Sequence, residues 1–75
     1  MTKAEQLREE LYTNDVSFNC RGEDYVVCSF DGQTMSIATA GTLDDQDFDS
    51  FEEMLDGWMI DGHPLREVIE EIIFL

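Results

Sequence analysis

Apolar positions along the chain change their period several times, and each change marks a new element. Ala4, Leu7 and Leu11 recur at helical spacing, while Glu5, Glu9 and Glu10 fall elsewhere on the same turn pattern. They follow Thr2-Lys3-Ala4-Glu5, whose spacing lets the Thr2 hydroxyl accept from a first-turn amide while Glu5 reaches back. A helix is predicted over about residues 3 to 13, with Asn14 as its stop. From Asp15 the period drops to two: Val16, Phe18 and Cys20 alternate with Ser17, Asn19 and Arg21, and a Gly22-Glu23-Asp24 turn follows. Tyr25 to Phe30 is a second β-rich run, closed by Asp31-Gly32, and a third strand is expected from Gln33 to about Thr39.

The turns set the register. A two-residue Asp31-Gly32 turn places Phe30 opposite Gln33, Cys28 opposite Met35 and Val26 opposite Ile37, and a three-residue first turn brings Val16, Phe18 and Cys20 to the same side. The predicted buried face is therefore Val16, Phe18, Val26, Cys28, Phe30, Met35 and Ile37, with Cys20 and Cys28 as diagonal neighbours on it. After Ala40-Gly41 comes an acidic connection. Ser50-x-x-Glu53 then repeats the capping pattern and opens a helix with Phe51, Met54, Leu55 and Trp58 inward, ending near Gly57. Asp61-Gly62 turns the chain, and Pro64 suits the first turn of a last helix whose inner stripe is Leu65, Val68, Ile69 and Ile72. The expected fold class is α+β in one domain, residues 1–75: an N-terminal helix, a three-stranded antiparallel β-meander, and two C-terminal helices packed on one sheet face.

Composition alters this picture through charge. The 75 residues carry 18 Asp plus Glu against 4 Lys plus Arg, a formal net charge of -14. Self-repulsion on that scale opposes compaction, in a domain whose single core supplies only about 3 to 5 kcal/mol. An apolar fraction of 43% is nevertheless too high for a disordered acidic tail, so the chain should fold. No apolar run exceeds four residues, as in Ile72 to Leu75, far short of the ~20 of a membrane span, and the N-terminal residues lack a signal-peptide core. A cytoplasmic protein with no membrane association is expected, with Cys20 and Cys28 reduced and packed as small apolar groups.

Candidate chemistry is sparse. Asp44, Asp45, Asp47, Asp49, Glu52, Glu53 and Asp56 form the densest feature, seven acidic residues with no basic residue among them. A solvated face that confers solubility, or adaptation to high salt, accounts for such a run without any partner. Asp45-x-Asp47-x-Asp49, with Asp56 in twelfth place, has the outline of a calcium loop, but Ser50 stands where the sharp turn needs Gly and Glu52 where an apolar residue belongs. No metal or other cofactor is expected. His63 is the single histidine and precedes Pro64 at a helix start, and no nucleophile, base and orienter converge in sequence, so no enzyme is expected. Four basic residues cannot neutralise a phosphate backbone, which disfavours direct nucleic-acid binding.

Two functional expectations remain. In the first, the chain is a small acidic protein-binding or inhibitor protein, and the seven acidic residues engage the basic surface of a nucleic-acid-binding protein in place of nucleic acid. Phage or mobile-element inhibitors of the anti-restriction or anti-CRISPR type work in this way. A compact chain of this length is ~30 Å across, and that length of duplex holds on the order of 17 charges, comparable with the charge here. In the second, the chain is an interaction or homodimerisation domain whose acidity serves only solubility, and any of Tyr25, Val27, Trp58, Met59 and Ile60 left outside the core supplies the contact.

Overall fold

The computed structural model of the chain describes residues 1–42 and 44–75. Helix α1 spans Lys3–Leu11, and the Thr2 hydroxyl accepts a hydrogen bond from the Glu5 amide at 3.1 Å, which fixes the first turn as its sequence demands. Leu7 and Leu11 are buried, and the amide of Asn14 closes the last turn on the Glu10 carbonyl at 2.9 Å.

Strand β1, Val16–Cys20, pairs with β2, Glu23–Cys28, through a two-residue turn at Arg21-Gly22. Both turn residues are left-handed, with φ of 53° and 87°, the geometry whose twist suits a tight hairpin. The expected Gly22-Glu23-Asp24 turn is thus replaced by a shorter one. The change reverses the facing of β2: Phe18 pairs with Tyr25 and Val16 with Val27, and Tyr25 and Val27 enter the core. Val26 and Cys28, expected inside, lie on the opposite face and are half-buried. Tyr-Val-Val-Cys is apolar on both sides of the pleat, so hydrophobic alternation could not choose between the two facings, and the turn decided. Aromatic packing rewards the outcome, with the Tyr25 ring 5.5 Å from Phe18 and 6.0 Å, edge on, from Trp58.

The second turn differs as well. Strand β3, Met35–Thr39, pairs Cys28 with Ser36 and Val27 with Ile37, so Cys28 and Met35 face opposite ways and the predicted pairing is overturned. Asp31 does not sit in a two-residue hairpin. Its carboxylate accepts from the amides of Gln33 at 2.9 Å and Thr34 at 2.7 Å, closing a wider loop that leaves Phe30 94% exposed instead of in the core. Met35 and Ile37 are buried as expected.

The acidic connection contains a further strand, β4, Asp45–Phe48, which runs antiparallel to β3. Helix α2, Phe51–Gly57, follows, capped by the Ser50 hydroxyl, which accepts from the Glu53 amide at 3.1 Å. A short hairpin of β5, Met59–Ile60, and β6, His63–Pro64, leads into helix α3, Leu65–Val68, and a tight helical turn at Ile69–Glu71. The chain then joins β1 as strand β7, Ile73–Phe74. The fold is α+β, but its sheet has five antiparallel strands in the order β4-β3-β2-β1-β7 rather than three. Buried residues from α1, α2 and α3 join those of one sheet face in a single core, with Phe18, Leu7, Ile37, Met54, Leu65 and Ile72 among its largest members. The other sheet face is open.

Candidate protein-binding surface

All eighteen carboxylate side chains are on exposed residues, and no charged residue is buried. The basic side chains are committed locally. Lys3 donates to the Ile72 carbonyl, tying α1 to the C-terminal segment, and the Arg8 guanidinium lies 5.8 Å from the centre of the Phe51 ring. Arg21 reaches Glu71 through two hydrogen bonds of 3.1 and 3.2 Å and approaches Asp61 at 3.7 Å. Arg66 donates from Nε to Asp56 at 2.7 Å and from Nη2 to Glu52 at 2.5 Å. Among the described residues these two arginines occupy four of the eighteen carboxylates, and the remaining acidic groups form no ion pair with a lysine or arginine.

The seven-residue acidic segment does not lie on one face. Asp45 and Asp47 alternate with Gln46 and Phe48 along β4 and project onto the open side of the sheet, where Asp45 is paired with Ala38 and Asp47 with Ser36. The Ser36 hydroxyl donates to Asp45 at 3.0 Å. Phe48 turns the other way and packs on the core, so close to α2 that a Cβ at Gly57 would stand 2.5 Å from its ring. Past that edge, Glu52 and Asp56 project from α2 toward Arg66 of the next layer. The like-charge pair, four residues apart on α2, is thereby bridged by a cation that the segment itself lacks. Hydrogen bonding from Arg66 holds the Asp56 carboxyl below its ordinary pKa, as Arg21 does for Glu71. Glu53 bends back past the capping Ser50 to accept from the Asp49 amide at 3.2 Å, one residue before the N-cap. Asp44 and Asp49 are exposed at the two ends of β4.

The segment therefore wraps an edge strand: Asp44 before it, Asp45 and Asp47 on the open face, Asp49 and Glu53 at the passage into α2, and Glu52 and Asp56 neutralised beside α3. Its conformation also rules out the calcium-loop outline, because Asp45 and Asp47 lie on extended backbone and Asp56 on a helix, whereas such a loop must curl all its ligands round one point. Among the described residues no three or more of His, Cys, Asp and Glu come together as metal ligands. His63 faces Glu67 at 3.7 Å, four residues along the chain.

An open sheet face was expected, but with Tyr25 and Val27 on it rather than the residues found there. Ser17, Val26 and Ala38 form one cross-strand row that ends at Asp45, and Cys28 and Ser36 form the next, ending at Asp47. Asn19 pairs with Asp24, donating to its carboxylate at 2.9 Å, and with Ile73 of β7. The middle of this face is uncharged and built from small side chains, with carboxylates at its margin. Burial pushes the Cys28 thiol up, and the nearby charges of Asp15, Asp45 and Asp47 push the same way. The only sequence trace of this face is Gly22, whose freedom to adopt positive φ permits a two-residue turn with Arg21.

Groups expected to supply an apolar contact are mostly inside: Tyr25, Val27 and Ile60 are buried and Trp58 is half-buried, leaving Met59 exposed. A cavity of about 180 Å³ between α1, β1 and β7, lined by Gln6, Glu10, Asp15, Val16, Ser17, Phe74 and Leu75, falls short of the several hundred Å³ typical of small-molecule sites. Among the described residues no helix is long and apolar enough to cross a membrane. Comparison with protein-family models, curated proteins and solved structures returns no match to the chain.

Proposed function

We propose that the chain is a small acidic binding protein that occupies a basic, nucleic-acid-binding surface of a protein partner and so inhibits it. The observation that carries this reading is the density of surface charge left uncompensated. A net charge of -14 sits on a body of 31 × 28 × 22 Å, with every carboxylate on an exposed residue and only two arginines paired with any of them. Duplex DNA carries one charge per about 1.7 Å of axis, so a length equal to the long dimension presents roughly 18 charges. The two values are of the same order, and the carboxylates of β4 and α2 are held on hydrogen-bonded backbone rather than on a loose chain. A partner evolved to release counterions from phosphates gains the same entropy from these groups, and the field steers the encounter.

Competition tests the reading. The chain, immobilised and used to capture its partner from the source cells, should retain a DNA- or RNA-handling protein that excess duplex DNA or RNA displaces. A partner held undiminished in excess nucleic acid contradicts the mimic and favours an interaction domain whose acidity serves solubility.

A further inference from the structure

We infer that the open face of the sheet, floored by Ser17, Val26, Cys28, Ser36 and Ala38, is the surface that docks against a lysine- and arginine-bearing protein surface. The inference rests on the acidic-binding reading and says where the contact lies. Core residues from all three helices lie on the other side of the sheet, so this face is unpartnered within the chain. Its floor carries no charged or long side chain, and the exposed Ile73, paired with Asn19, adds an apolar group on the β7 side. Its acidic margin selects the occupant. Asp45 and Asp47 close two of the cross-strand rows on the β4 side, and Asp24 stands at the far end of β2. None of these three forms an ion pair with a lysine or arginine of the chain, whereas Glu52 and Asp56, the other half of the acidic segment, already hold Arg66. Among the described residues no cation of the chain offsets this margin, whose charge is complementary to that of a basic surface.

A second copy of the chain is the wrong occupant. Stacking two such faces brings together two bodies that each carry a net charge of -14, with carboxylates at the margin of each face. At the few ångströms of a sheet contact this repulsion is weakly screened. A partner with basic groups spaced round a low-relief centre has the opposite sign at each point.

Cys28 supplies a built-in reporter, because it lies on this face while Cys20 is fully buried in the core. The probe is a lysine- and alanine-rich helical peptide, titrated at low salt into the isotope-labelled chain. Backbone amide shifts should concentrate at Val26, Cys28, Ser36 and Ala38, and alkylation of Cys28 should slow by roughly tenfold at saturation. Ala38→Lys and, separately, Ser36→Lys should each weaken binding by about tenfold or more with a native-like melting curve, since one buried like charge at an interface costs at least that much. Glu52→Gln with Asp56→Gln should change it little. Shifts centred on α2 with Cys28 unprotected, or wild-type binding by both lysine variants, overturn the assignment. The two claims fail separately. Peptide binding on the sheet face, with a captured partner that nucleic acid does not displace, removes the mimic and keeps the face; displacement by nucleic acid with peptide shifts on α2 does the reverse.

Discussion

Val26 and Val27 are neighbours of identical chemistry that the structure places on opposite sides of the sheet, and truncating each to alanine measures the β2 facing directly. Val27 is fully buried in the core between its cross-strand partners Val16 and Ile37, whereas Val26 is half-buried on the open face between Ser17 and Ala38. Val27→Ala removes two methyl-sized groups at about 0.8 kcal/mol each and leaves a cavity that surrounding side chains only partly fill, a total of about 2 to 3 kcal/mol. Val26→Ala loses part of the same transfer energy and some strand preference but opens no cavity, which limits its cost to under about 1 kcal/mol. For a domain of this size 1 kcal/mol corresponds to about 4 to 8 °C in melting temperature. Val27→Ala should therefore melt roughly 10 to 20 °C below wild type and Val26→Ala within about 7 °C of it. Circular-dichroism melts and urea unfolding of the three proteins read the difference. A Val26→Ala cost equal to or above that of Val27→Ala would refute the Arg21-Gly22 turn and return the register to the one expected from the Asp-Gly signal.

Three further outcomes follow from the same geometry. Raising salt from low to moderate concentration should raise the melting temperature, because screening beyond about 8 to 10 Å relieves net repulsion while weakening only the few Arg21 and Arg66 pairs; a fall would mean that those pairs dominate. The amides of Gln33 and then Thr34 lower the Asp31 carboxyl pKa, so its contribution is complete above the ordinary carboxylate range and is lost as pH falls through the depressed value. Asp31→Ala should accordingly lower the melting temperature most at neutral pH, with the difference closing in strong acid; a difference that grows on acidification contradicts the loop hydrogen bonds. Gly57→Ala should destabilise, although alanine is the better helix former by about 1 kcal/mol, because the new Cβ meets the Phe48 ring at 2.5 Å; a more stable variant would show that Phe48 is not packed under α2.

The first two helix starts were legible because each is a local chemical signal, Thr2 and Ser50 capping as their spacing implies, whereas Pro64, expected in the first turn of the last helix, is extended and lies just before it; the inner stripe Leu65, Val68, Ile69 and Ile72 is buried even though the helix there is one turn long and tightens into a narrower one. Strand facing was legible only where one side of the pleat is polar, as in β1. In β2 both sides are apolar, and the choice passed to a left-handed Arg-Gly turn that resembles no common hairpin dipeptide. Strand β4 was invisible because Asp45, Gln46 and Asp47 are poor strand formers, held in place by pairing with β3 and by Phe48 on the core. As an edge strand it also benefits from charge, since exposed aspartates discourage pairing with another chain. The acidic segment was legible as composition. Its division between an open face and an arginine-bridged helix was not, because Arg66 reaches it from ten or more residues away in sequence. Replacing Glu52 and Asp56 therefore strands a guanidinium, while replacing Asp45 and Asp47 removes charge alone from the margin of the open face.

The salt dependence of binding to the captured partner tests the central claim most directly. Association and dissociation rates would be measured for wild type and for Asp45→Asn with Asp47→Asn across a range of monovalent salt. Affinity should fall steeply with salt, mainly through the association rate, and the double variant should bind more slowly at low salt with a shallower dependence. Affinity that is independent of salt, or a double variant indistinguishable from wild type in rate and slope, would contradict that claim.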